Sequence, residues 1–208
     1  MPSVNGHIAL ITGGSRGIGK GIALRLAQGG AKIAINYHQN EKAAQETLDQ
    51  IHSLGGEGII LQADVSKKDE VDKMFEFIQK NLGLVDILVN NAGEGQLRSQ
   101  SSTDINEDMW DRLYQVNLKG VFLCCAYALP IMIRNKWGRI INISSTAGLT
   151  GGSSGAHYAA MKGAIIPYSK ALARDYAPSG VTVNVVAPGK IKLTFSMPLL
   201  PQKLSPNW

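Results

Sequence analysis

The run Thr12-Gly13-Gly14-Ser15-Arg16-Gly17-Ile18-Gly19 lies between an apolar stretch ending at Ile11 and an amphipathic stretch beginning at Lys20. Few folds accept such a run. A strand that turns at once into a helix needs a residue without a Cβ at the bend, which Gly13 supplies, while Gly17 and Gly19 let backbone and helix come close to a ligand. The N-terminus of a helix presents unpaired amides and the positive end of its dipole, so the run predicts a seat for a pyrophosphate and hence a dinucleotide. A merely permissive loop is the competing reading, and the rest of the chain decides between them.

Short Val/Ile/Leu/Ala runs alternate with longer amphipathic stretches along the chain. The runs predict strands over 8–11, 32–36, 58–62, 85–89, 139–143 and 181–186. Between them the periodicity predicts helices over 17–28, 41–54, 68–81, 107–134 and 157–176. Nearly continuous apolar strands suit a parallel sheet covered on both faces, and right-handed crossovers make it a doubly wound α/β fold. In 208 residues of which 44% are hydrophobic, one compact domain with a sizeable core is expected. No internal repeat or low-complexity linker divides it.

Composition narrows the function classes. Charged, glycine or polar residues break the apolar stretches, and residues 1–10 lack a basic-then-apolar leader, so no membrane span or secretory signal is expected. The cysteines, Cys124 and Cys125, are adjacent in an apolar helical pattern and read as small buried hydrophobes in a reducing, cytoplasmic setting. Four scattered histidines make no ligand spacing, and no metal is expected. A formal charge of +5 without an arginine-lysine block points away from nucleic acid.

In doubly wound sheets the ligand lies beyond the carboxyl ends of the strands. After the second strand comes Asn36-Tyr37-His38, where an NAD site would place a carboxylate on the ribose hydroxyls. With that acid missing, and with Arg16 and His38 able to meet a 2′-phosphate, NADP(H) is favoured over NAD(H); a solvated surface charge is the other reading of Arg16. Asp64, followed by Val65, is placed either to accept from an adenine amine or to cap a helix beginning near Lys67. Asn91-Ala92-Gly93 after the fourth strand permits close backbone approach to the cofactor, or is a plain turn.

Tyr158 and Lys162 open the last helical stretch, and their spacing of four puts them on one helix face. A phenol, with an ordinary pKa of about 10, donates protons poorly at neutral pH unless a nearby ammonium stabilises its anion. Ser145, just past the fifth strand, can hold a carbonyl oxygen beside the Tyr158 proton. An isolated tyrosine-lysine pair is more often a surface pair; here the glycine run gives it a context. Gly151-Gly152-Ser153-Ser154-Gly155 also satisfies the Gly-x-Ser-x-Gly of a hydrolase elbow. That reading fails: the nearest strand ends well upstream, and no histidine follows Asp175 to complete the order serine, acid, histidine.

Taken together, the glycine run, Asn90-Asn91-Ala92-Gly93, Asn117, Ser145 with Tyr158 thirteen residues later, Lys162 and Pro188-Gly189 resemble the short-chain dehydrogenase/reductase family over residues 7–189. The resemblance implies a Rossmann fold and hydride transfer between a nicotinamide and a ketone or secondary alcohol. By position it implies Tyr158 as general acid/base, Ser145 as carbonyl orienter, Lys162 as partner of the nicotinamide ribose and of Tyr158, and Asn117 as holder of a relay water. Cofactor contacts are implied at Gly13, Ser15, Arg16, Gly17, Ile18, Gly19, Asn36, His38, Asp64, Val65, Asn91, Ala92, Gly93, Tyr158, Lys162, Pro188, Gly189 and Ile191. Members of similar appearance act on 3-oxoacyl thioesters, sugars or polyketide-type ketones. The two long helices imply a homo-oligomer, a dimer before a tetramer.

The chain departs from the family pattern in three places. After Pro188-Gly189, residues 190–208 carry prolines at 198, 201 and 206 and read as an atypical tail in place of a lid, a helix and a seventh strand. Six strands are therefore expected, in a dinucleotide-binding domain over 1–189. The family's threonine after Pro-Gly falls on Leu193, with Thr194 one place late. Pro167 lies inside the helix after Lys162, where a proline removes a hydrogen bond at about 3 kcal/mol. Two readings follow: an NADP(H)-dependent carbonyl reductase, or a weakly active or inactive relative that binds cofactor or joins a longer partner.

Overall fold

The apolar runs become strands buried on both faces, with Ile8–Ile11 and Ile87–Asn90 buried at every position. The computed structural model describes residues 4–95, 102–152 and 155–191. Among these, β1 (Ile8–Ile11), β2 (Lys32–Tyr37), β3 (Gly58–Gln62), β4 (Ile87–Asn90), β5 (Gly138–Ile143) and β6 (Val181–Val186) form one parallel sheet in the order β3-β2-β1-β4-β5-β6. The helices are α1 (Gly17–Gln28), α2 (Glu41–Ser53), α3 (Lys68–Asn81), α4 (Glu107–Tyr114), α5 (Gly120–Arg134), α6 (Ala147–Thr150) and α7 (Ala156–Tyr176). This is the doubly wound α/β architecture expected, with β4 starting two residues late.

Alternation along β1 divides the core. Ala9 and Ile11 pack with Ala23 of α1 and Ile51 of α2, whereas Ile8 and Leu10 pack with Phe75 of α3 and Met132 of α5. Helix α3 buries Val71, Met74, Phe75 and Ile78, the i, i+3, i+4, i+7 stripe of a helix lying on a sheet. The strand order reverses at β1 and β4, which lie side by side while their crossovers run to opposite edges. Crevices form at such a switch point.

The expected helix over 107–134 is present with an interruption. Between α4 and α5, residues Gln115–Lys119 form a π-turn with Asn117 buried inside it. One extra residue in the turn re-aims the side chains there, and such turns recur at functional sites. This helix has the length and apolarity of a membrane span, but 61% of its most apolar window is packed inside the fold, so it is a core helix. Cys124 and Cys125 are buried within it as free thiols, and burial raises both pKa values, that of Cys125 to about 12.

A polar chain crosses this core. Asn90 Nδ2 donates to Asn142 Oδ1 at 2.8 Å and to Cys125 Sγ at 3.3 Å, and Asn142 Nδ2 donates to Ser169 Oγ at 2.8 Å. It ties β4, β5, α5 and α7 together directly beneath the carboxyl ends of the strands. Helix α7 runs unbroken from Ala156 to Tyr176 through Pro167, so the proline does not end it.

Candidate active site

Three turns meet at the carboxyl ends of β1, β2 and β4. Gly13 and Gly17 have φ of 61° and 59°, left-handed values that favour glycine. A Cβ on Gly19 would stand 2.5 Å from Gly13 O, so only glycine admits the turn this close to α1. The Thr12 hydroxyl accepts from the Asn91 and Ala92 amides, each at 3.0 Å, and Asn91 Nδ2 donates to Thr12 O and Gly13 O. Asn36 Oδ1 accepts from Gly13 N at 3.2 Å, and its Nδ2 donates to Ala63 O at 3.0 Å. Asn36, implied as a cofactor contact, braces the glycine turn and also borders the cleft.

These turns enclose a cleft of about 820 Å³, bordered by Gly13, Ser15, Arg16, Asn36, His38, Asp64, Val65, Asn91, Ala92 and Gly93. Asp64 takes neither a pure capping role nor an open one. Its Oδ1 accepts from Ser66 N at 3.0 Å and Ser66 Oγ at 2.7 Å, while α3 begins at Lys68 without a side-chain cap. Its Oδ2 lies 3.8 Å from His38 Nε2 and 3.6 Å from an Arg112 nitrogen. Burial pushes this carboxyl up, but the Ser66 hydrogen bonds and the His38 and Arg112 charges outweigh it and hold the pKa below the usual carboxylate range.

A second hollow of about 200 Å³ adjoins the cleft, sharing Asn91, Gly93 and Glu94 with it; Ile18, Asn117, Ser145, Tyr158, Lys162, Pro188 and Gly189 also border it. Hydrogen bonds between distant segments bring these residues together from four parts of the chain. Ser144 N donates to Val186 O and Thr146 N to Pro188 O, which fastens the turn after β5 to that after β6. Ser144 Oγ donates to the Lys162 carbonyl at 2.6 Å, setting α7 against β5. Ser145 Oγ accepts from Ala147 N at 3.1 Å. Gly151, Gly152 and Gly155 follow helix α6 rather than a strand, so the serine-glycine loop is no nucleophile elbow.

Lys162 is 4% exposed and its Nζ donates to Ile143 O at 2.9 Å. Burial lowers its pKa to about 8. The same Nζ lies 6.0 Å from the Tyr158 ring centroid, a position from which a positive charge can stabilise a negative one on the phenol oxygen. Asn117 Nδ2 donates to Glu94 O at 2.9 Å, whereas its Oδ1 is buried with no hydrogen-bond partner among the described residues. A Cβ on Gly93 would meet that Oδ1 at 2.6 Å and Lys162 Nζ at 3.3 Å. The residues fit a dinucleotide: a glycine turn no Cβ could enter, a large cleft beside it, and in the adjoining hollow a buried acceptor, Asn117 Oδ1, unpaired among the described residues. Among the described residues no three His, Cys, Asp or Glu side chains gather as metal ligands.

Ile191 is exposed and borders neither space; Leu193 and Thr194 lie outside the described residues. Sequence reasoning passes over Thr12, Ser144, Glu94 and Arg112, which act through contacts far apart in the chain. It also passes over His157, whose two buried ring nitrogens have no hydrogen-bond partner among the described residues.

The family model for short chain dehydrogenases matches residues 7–203. The 3-oxoacyl-[acyl-carrier-protein] reductase of Synechocystis sp. is 42% identical over 191 residues, 92% of this chain and 76% of that protein. Its counterpart in Staphylococcus aureus is 42% identical over 183 residues, 88% of this chain and 74% of that protein. A crystal structure of a protein designated a short-chain alcohol dehydrogenase from Sinorhizobium meliloti superposes with a TM-score of 0.86 at 33% identity, covering 94% of this chain and 76% of the other. The chain thus spans about three quarters of the length of these relatives. Fold and sequence agree that the chain belongs to the short-chain dehydrogenase/reductase family of oxidoreductases.

Proposed function

We propose that the chain is an NADP(H)-dependent reductase of ketone carbonyls, with 3-oxoacyl thioesters the substrate class its relatives suggest. The observation that carries this reading is the convergence of Ser145, Tyr158, Lys162 and Asn117 on one hollow that opens into the glycine-turn cleft. The glycine turn and the α1 N-terminus would hold the pyrophosphate, Asp64 and Val65 the adenine end, and Asn91 to Gly93 the nicotinamide half. When bound, the reduced nicotinamide supplies the hydride for the carbonyl carbon.

The chain's own groups handle the oxygen. Ser145 Oγ orients the carbonyl, and Tyr158 donates its phenolic proton to the oxygen as negative charge develops there. The Lys162 ammonium stabilises the phenolate left behind, and the proton is restored through the Asn117 end of the hollow. The reverse reaction oxidises a secondary alcohol through the same groups. For self-association we assign the exposed face of α4 and α5 carrying Trp110, Tyr114 and Phe122.

The preference for NADP(H) rests on Arg16, His38 and Lys42 along the cleft, which Glu41, Asp64 and the Arg112-paired Glu94 also border. Fluorescence titration of the purified chain tests it. NADPH is expected to bind more tightly than NADH, and Arg16→Gln to weaken NADPH about tenfold while changing NADH less than about twofold, as for loss of a charge-assisted bond to phosphate. NADH binding as tightly as NADPH would overturn the preference.

A further inference from the structure

Glu94, the first residue after the Asn91 to Gly93 turn, is fastened to the long helix at two points. Its backbone carbonyl accepts from Asn117 Nδ2 at 2.9 Å. Its carboxylate meets the Arg112 guanidinium in a fork: Arg112 Nε donates to both oxygens at 3.1 Å, and a terminal nitrogen donates to Oε1 as well. Arg112 in turn lies 3.6 Å from Asp64 Oδ2, at the end of the cleft bordered by His38. The hydrogen bond and charge of Glu94 raise the Arg112 pKa further, so the guanidinium stays charged across the accessible range.

The position matters more than the pair. Glu94 borders both the large cleft and the small hollow, and Arg112 borders the cleft. The pair therefore spans the rim of the switch-point crevice, joining the turn after β3, the turn after β4 and the helix that carries Asn117. Both side chains are 43% exposed, so neither supports the core, and a bidentate arrangement is the geometry in which an exposed ion pair has a measurable effect.

We propose that Glu94 and Arg112 are positioning residues whose ion pair clasps the rim of the cofactor cleft, holding the Asn117-bearing turn in place and slowing release of bound NADPH. This inference rests on the NADP(H) reading above. It differs from a through-space effect of either charge on the anionic cofactor, and the difference has a sign. If the charges acted separately, Glu94→Gln would uncover a cation and retard NADPH release, while Arg112→Gln would uncover an anion and hasten it. If the pair is a clasp, either substitution opens it and both hasten release.

Stopped-flow displacement of NADPH from the full chain and from Glu94→Gln, Arg112→Gln and the double variant distinguishes these outcomes, with thermal melts confirming that each variant is folded. Both single substitutions are expected to raise the dissociation rate about two- to fivefold, and the double variant to be no faster than the faster single, as partners in one contact are non-additive. Rates that move in opposite directions, that do not move, or that multiply in the double variant would overturn the clasp. If the unaltered chain does not bind NADPH at all, the NADP(H) reading falls, and the clasp with it.

Discussion

Replacing Tyr158 with phenylalanine is expected to lower kcat by roughly 10²- to 10⁴-fold, the range for loss of a positioned general acid. NADPH binding should stay within about threefold, because the substitution removes one hydroxyl and leaves the charge-assisted phosphate contacts intact. The phenol is the proton source of the proposed reduction. A phenylalanine in its place would keep the ring beside Gly95, where a Cβ would approach Tyr158 Cε2 to 3.7 Å. Steady-state rates with NADPH and a reducible ketone, alongside fluorescence titration of the variant, separate the two quantities. An unchanged kcat would remove Tyr158 from the chemistry.

Lys162→Met is expected to cost activity on a similar scale and to alter the pH dependence of stability. The folded chain carries Lys162 with a pKa of about 8, against 10.5 for the free side chain, because burial disfavours its charge. Below pH 8 both states hold the proton and the folded state bears the full cost of the buried ammonium. As pH rises from about 8 to 10.5, the folded chain releases a proton that the unfolded chain keeps, so the parent gains stability through that window. Over the interval the gain amounts to about 3 kcal/mol. Methionine has no such titration. The stability of the variant relative to the parent should therefore decline by that amount between about pH 7 and pH 11, and the other titrating groups cancel in the difference. Denaturant melts of the two proteins across this range measure it; a flat difference would mean that the ammonium is not held in a buried environment.

The order of the elements is legible in the chain because the signals are local. Continuous apolar strands such as Ile8–Ile11 and Ile87–Asn90 declare a sheet covered on both faces, and the stripe of α3 declares its packed side. The pairing of Tyr158 with Lys162 is legible for the same reason, since four residues make about one helical turn. Relations between distant segments are not. The pattern after β2 offers Asn36 only as a cofactor contact; the fold also brings Gly13 N and Ala63 O within its reach, and a buried amide bonded on both sides is more stable than one left open. For Asp64 the pattern offers a helix cap or an adenine contact; the proximity of Ser66 makes a tight local turn that uses one carboxylate oxygen and leaves the other toward Arg112. The π-turn around Asn117 has no periodic signature, because a single added residue is invisible in a pattern of apolar positions. Glu94 and Arg112 carry no motif at all, and only the fold brings them together.

Incubating the purified chain with NADPH and a series of 3-oxoacyl thioesters and simple ketones, while following cofactor oxidation, tests most directly whether these residues form a carbonyl reductase. Substrate-dependent oxidation of NADPH is expected, matched by formation of the secondary alcohol and lost in Tyr158→Phe. NADPH that binds but is consumed with none of these carbonyls would contradict the assignment and would identify the chain as a cofactor-binding relative without this reductase activity.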